Sequence, residues 1–253
     1  MSLLEKPSLS PIEASGLGLI SLIYLWLQFY LLRTGLTFMY VISFLILSLL
    51  GSLLWAIISI LHSRRSAARA MTLSIGFFIL LSGAAQKLLF FLPPNFRLIQ
   101  ISALINLAGY MSLLYGISKM IAVRWFAATG KRSVKAMLVF MPLFTLYLAQ
   151  QSPILLSYVA FDLICFFLAS IGALLFPRGL PNDVLACIQV AAIPSMLSDF
   201  IRYGGKVIPF AAPILPFEEV IASFPFALLA FLSFLYLRKV RRLKEVVDFA
   251  EVG

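Results

Sequence analysis

Leu36-Thr-Phe-Met-Tyr-Val-Ile-Ser-Phe-Leu-Ile-Leu-Ser-Leu-Leu-Gly-Ser-Leu-Leu-Trp-Ala-Ile-Ile-Ser-Ile-Leu61 contains no charged residue. As a helix it spans about 39 Å, more than the roughly 30 Å hydrocarbon core of a bilayer. Arg33-Thr-Gly precedes it and Arg64-Arg65 follows it, so charge and turn residues mark both ends. The rest of the chain repeats this pattern. Of 253 residues, 62% are hydrophobic and 12% charged, with a mean hydropathy of +1.03. A soluble domain has about 45–50% and about 25%, so a water-soluble globule is excluded. The expected fold is all-α, a polytopic membrane helix bundle.

Apolar runs bounded by charges and turn residues give segments at 14–32, 36–61, 70–92, 98–122, 134–149, 154–176, 184–201 and 217–237. That is about eight transmembrane helices, or seven if the short, Pro142-containing fifth falls short of spanning. The polar, Pro-containing start does not read as a signal peptide, so segment one is expected to be an anchor. The expected organisation is a cytoplasmic tail over 1–13, a single transmembrane helical domain over 14–237, and a basic helical tail over 238–253.

The net charge of +10 bears on orientation. With eight segments and a cytoplasmic N-terminus, 15 of the 20 Lys and Arg fall on the cytoplasmic side. They include Arg64, Arg65, Lys131, Arg132 and the Arg238–Lys244 cluster. The excess alternates loop by loop as the positive-inside rule requires, so both termini are expected in the cytoplasm of a multi-pass plasma-membrane protein. Nucleic acid is not expected as a partner, because the basic residues sit where a membrane protein uses them for topology.

Residues 207–237 are too long for one straight crossing, and Pro209, Pro213 and Pro216 crowd the first third. The expectation is an outer loop or re-entrant stretch over 207–215. Helix eight would then begin near Pro216, with Glu218 and Glu219 at its electropositive end and a kink at Pro225.

His62 is the only histidine, which leaves no pair for a bis-His haem or a His-based metal site and no intramembrane partner for a serine nucleophile. Neither a G-x-G-x-x-G nor a Walker A motif is present. Cys165 and Cys187 lie inside apolar segments and read as packing residues. No cofactor or metal is expected.

What remains is a set of polar groups at similar depth in the outer half of the membrane. Acids at membrane depth cost several kcal/mol on insertion and normally face a bundle interior with a partner. Asp162 is the deepest, about 13 Å below the outer end of segment six. Asp199, Glu218 and Glu219 are the other acids. Lys87, Arg97 and Arg202 are the available counter-charges, and Asn106 and Tyr158 the neighbouring polar groups. Each has a plain structural alternative: Asp199 and Arg202 as an ion pair on one helix, Lys87 snorkelling, Tyr158 bonding Asp162 one turn away.

Ser157-Tyr158-Val-Ala-Phe-Asp162-Leu-Ile, followed by Asp199, Tyr203-Gly204 and Glu218-Glu219, resembles the multi-helix membrane-sensor regions of histidine kinases and diguanylate cyclases. The resemblance covers about the last hundred residues. It implies a ligand-responsive bundle that drives a cytoplasmic helix. Val240, Leu243, Val247 and Ala250 repeat at heptad-like spacing where an output domain attaches in that family, although a basic helix end at the cytoplasmic interface gives the same sequence and is the plainer reading. No kinase or cyclase domain follows, so the signal is expected to pass to a cytoplasmic partner or a homodimer through this helix.

Leu215-Pro216-Phe217-Glu218-Glu219 is similar to the Pro-x-Glu-Glu motif of small integral-membrane lycopene cyclases, which implies general acid work by the Glu pair on an isoprenoid. The expected function is sensor-like: a small ligand, lipid or ion binds in the outer-half polar cavity and is coupled to the cytoplasmic face. A cyclase-like enzyme or a small transporter subunit is the alternative.

Overall fold

The structure, a computed structural model, describes the backbone at 9–61, 66–91, 96–128, 143, 153–176, 180–204 and 215–252. It describes the side chains of these except at 66, 84–91, 96–100, 102–103, 123–128, 153–158, 180, 199–200, 202–204, 215–217 and 242–252. Among the described residues there is helix and no strand. The helices are α1 (Pro11–Arg33), α2 (Thr37–Leu61), α3 (Ser66–Phe91), α4 (Phe96–Ala128), α5 (Pro153–Leu175), α6 (Leu180–Gly204), α7 (Leu215–Ile221) and α8 (Phe224–Val252). Four described stretches are long and apolar enough to cross a membrane: Pro11–Arg33, Thr37–Leu61, Leu104–Ala122 and Glu218–Arg241. Apart from Leu143, segment five lies outside the described residues, as do residues 207–214.

Local chemistry sets the helix ends. Ser10 caps α1: its hydroxyl accepts from the Glu13 N–H, the Glu13 carboxylate accepts from the Ser10 N–H, and Pro11 opens the first turn. Gly35, at φ +77°, ends it, and the Leu36 N–H reaches back to the Leu31 carbonyl at 2.9 Å. This left-handed cap is one only glycine adopts without strain. It turns the chain so that α2 runs back beside α1, where Gln28 Nε2 donates to Ser43 Oγ at 2.8 Å.

Residue pairing fixes every direction. The Ser59 hydroxyl reaches the Arg69 carbonyl while Ser48 lies beside Gly83, so α2 and α3 are antiparallel. Ser74 faces Gly116 and Ser82 faces Gly109, which makes α3 and α4 antiparallel. Gln189 donates to Ser170, and Leu185 covers Gly172, giving the same relation for α5 and α6. In contrast, Phe44 meets Phe226 and Trp55 donates to the Leu229 carbonyl, so α2 and α8 are parallel. Glu13 pairs with Lys239 at 2.7 Å and Tyr24 with Phe231, so α1 runs against α8. The start of α6 joins that corner, because Asp183 accepts from the Leu9 N–H at 2.6 Å.

Two ends of the bundle follow: a proximal end, where α1 starts, and a distal end. α4 finishes at the proximal end and α5 begins at the distal end.

Burial is distributed as lipid solvent dictates. Trp26 is 65% exposed, and Leu22, Ile23, Phe38, Leu53 and Ile60 are exposed with it, while Ser21, Gln28, Ser48, Thr72, Ser82 and Asp162 are buried. Lipid gives no hydrophobic drive between helices, so close contact between small residues and interhelical hydrogen bonds hold them together. At Gly51 a Cβ would lie 2.6 Å from the Ala230 Cβ, so the α2–α8 approach requires glycine there.

Segment eight departs from expectation. It is two helices separated by a turn at Ala222-Ser223, and Pro225 lies in the first turn of α8 instead of kinking a continuous helix. Proline has no N–H for the Ile221 carbonyl and its ring clashes there, so the helix stops and restarts. The stop is closed locally: the Ser223 hydroxyl donates to the Glu219 carbonyl and the Ser223 N–H to the Val220 carbonyl.

Candidate functional site

Three helices converge on Asp162. On α5 it shares the inward stripe with Val159, Leu163 and Ser170, all buried. On α6 the buried residues Val184, Ile188, Ala191, Ser195 and Ser198 recur at three- and four-residue spacing, which aims both serines inward. On α4, Gly109 lets Ser82 of α3 approach closely, and the next residue, Tyr110, turns into the interior.

The Tyr110 hydroxyl donates to Asp162 Oδ1 at 2.6 Å and lies 3.2 Å from Ser195 Oγ. A phenol has one proton. With that proton on Asp162, Ser195 is the donor to Tyr110, and the three hydroxyl and carboxyl groups form one polarised chain. Ser198 donates to the Ser195 carbonyl at 2.9 Å. Exposure is 2% for Asp162, 6% for Tyr110 and 7% for Ser195, so all three groups are buried. Asp162 and Ser195 each lie nine residues from the distal ends of their helices, about 13 Å down the axis.

An aromatic relay crosses the bundle at this level. Phe44, Phe226, Phe78, Tyr110 and Phe161 contact in sequence, with ring centroids 5.8, 5.2, 5.1 and 5.8 Å apart. It ties α2, α8, α3, α4 and α5 to the tyrosine that holds the acid. Pro194, inside α6 and next to Ser195, leaves the Val190 carbonyl without its helical donor. The α6 ladder is therefore weakest beside the site.

The other expected residues separate into groups. Glu218 is buried, 6% exposed, in the short α7. The Glu219 carbonyl accepts from the Tyr40 hydroxyl at 3.2 Å and from Ser223, which secures α7 against α2. Asn106 is half-buried, and its backbone carbonyl accepts from Ser82. Lys87, Arg97, Tyr158, Asp199 and Arg202 lie on helix backbone toward the distal end, but their side chains are outside the described residues. Among the described residues, the hydrogen bond reaching Asp162 from an aromatic comes from Tyr110. No group of three metal-ligating side chains occurs among the described residues.

At the proximal corner, Lys239 and the Ser10 N–H hold the Glu13 carboxyl down at about 2. Half-burial raises Asp183 above the usual carboxylate range, partly offset by the Leu9 N–H.

Reasoning from sequence missed Tyr110, Ser195 and Pro194. Tyr110 stands mid-segment, and the Pro194-Ser195-x-x-Ser198 spacing was the available signal. No family model, curated protein or solved structure matches this chain.

Proposed function

We propose that this is a multi-pass protein of the cytoplasmic membrane, with eight crossings and both termini in the cytoplasm. In this reading its buried Asp162–Tyr110–Ser195 centre responds to a small ligand, lipid or ion and conveys the change to the cytoplasmic face. The observation that carries it is Asp162, an acid buried at membrane depth and shared by three helices. Such a group is rare in a purely structural bundle.

The route is physical. A species that takes over a carboxylate oxygen, or a proton that neutralises it, changes what Tyr110 and Ser195 bond to. Ser195 sits beside the Pro194 break, so α6 can bend there at low cost. The far end of α6 carries Asp183, in the same corner as Glu13 and Lys239, and α8 continues from that corner into its basic tail. A ligand shifts this equilibrium only by its differential affinity for the two arrangements.

The test has two readouts on protein in nanodiscs. Native mass spectrometry should find a species retained by wild type and lost in Asp162→Asn. Failing that, infrared difference spectra should show a carboxyl band that responds to pH and vanishes in the variant. A wild type that shows neither a retained species nor such a band would sink the proposal. The transporter reading uses the same acid as a relay, and vectorial flux of the bound species in proteoliposomes would favour it. The topology is tested by cysteine accessibility, with Lys131→Cys expected to label from the cytoplasm and Lys206→Cys from outside.

A further inference from the structure

Between α3 and α4 lies an open groove of about 440 Å³, lined by Arg69, Leu73, Ser74, Phe77, Ser112 and Tyr115. Its volume is within the roughly 300–1,000 Å³ of small-molecule sites. Within the lining, Ser74 is buried and packs closely on Gly116, while the rings of Phe77 and Tyr115 are half-exposed.

The charge of the groove is gathered at one end. Arg69 stands in the first turn of α3 and is exposed; Lys119 of α4 is exposed, with Nζ 5.5 Å from the Tyr115 ring centroid. Antiparallel packing puts both cations at the proximal end. No carboxylate among the described residues pairs with either of them. From Arg69 to Phe77 the wall descends about 12 Å along the helix, into the acyl region if Arg69 stands at headgroup height.

We propose that this groove binds one anionic phospholipid of the proximal leaflet. Arg69 and Lys119 would hold the phosphate, Ser74 and Ser112 would face the ester region, and an acyl chain would lie along Leu73, Phe77 and Tyr115. Charge complementarity selects this occupant: a basic pocket between membrane helices suits an anionic headgroup, and a zwitterionic lipid leaves the paired cations partly uncompensated.

The experiment is native mass spectrometry of the protein released from nanodiscs of phosphatidylglycerol and phosphatidylcholine in equal amounts. Wild type should retain phosphatidylglycerol preferentially. Arg69→Gln/Lys119→Gln should reduce retention roughly tenfold or more, and the charge-keeping Arg69→Lys/Lys119→Arg should restore it. Inorganic phosphate should not compete. Equal retention of the two lipids, an unchanged double variant, or displacement by phosphate would each overturn the proposal.

Discussion

Tyr110 of α4 donates to Asp162 of α5 at 2.6 Å, and through Ser195 the same hydroxyl reaches α6. A distance this short is typical of a hydroxyl bonded to a charged carboxylate. Removing one partner therefore costs more than removing both. Tyr110→Phe is expected to destabilise the protein by about 1–3 kcal/mol. Tyr110→Phe/Asp162→Leu should cost less than the sum of the single changes. A double-mutant cycle on detergent unfolding measures the coupling; additive changes would show that the bond carries no energy.

Gly51 tests the packing of α2 on α8. A Cβ there would lie 2.6 Å from Ala230 Cβ and 2.9 Å from its Cα, and backbone cannot swing aside as a side-chain tip can. Gly51→Ala should lower stability by about 1–3 kcal/mol through overpacking. Gly16→Ala, where a Cβ meets nothing within 4 Å, should be neutral or slightly stabilising. Thermal melts of the two variants compare them directly.

The proximal corner has opposed pH dependences. Glu13 is depressed to about 2 by Lys239, so its contribution is complete above the ordinary value of 4.5 and is lost as pH falls toward about 2. Asp183 is raised by burial, so its contribution is present below the unfolded value and is lost as pH rises through the folded one. Exposed pairs are worth at most about 1 kcal/mol. Glu13→Gln should flatten the acid limb of a stability–pH curve, and Asp183→Asn the opposite limb. High salt should reduce the Glu13 effect more than the Asp183 effect.

Pro194→Ala restores a donor for the Val190 carbonyl. The expected result is a more stable α6 with a smaller response at its proximal end to any change at Asp162. A variant that melts higher and responds as fully as wild type would remove Pro194 from the mechanism.

The fold class was legible because lipid imposes one rule on every span: long, apolar and helical. The Leu36–Leu61 run and the Ser10-x-x-Glu13 capping box both read directly from residue order. Asp162 was also legible, since a lone acid in an apolar run is conspicuous. Its partners were not. Tyr110 and Ser195 are ordinary in membrane helices, and what makes them a site is that α4, α5 and α6 meet there, a tertiary fact without a local signature. The Ala222-Ser223 break was half legible: Pro225 announced a disturbance, but the side-chain and backbone bonds of Ser223 turned a kink into a restart.

The central claim is that the Asp162 centre and the proximal end are energetically linked. Hydrogen–deuterium exchange on nanodisc-embedded wild type and Asp162→Asn tests it most directly. If the two are linked, Asp162→Asn alters protection both around 190–198 and at the distant peptides 180–188 and 240–252. A change confined to the turns around Asp162, with the proximal peptides exchanging as in wild type, would contradict it.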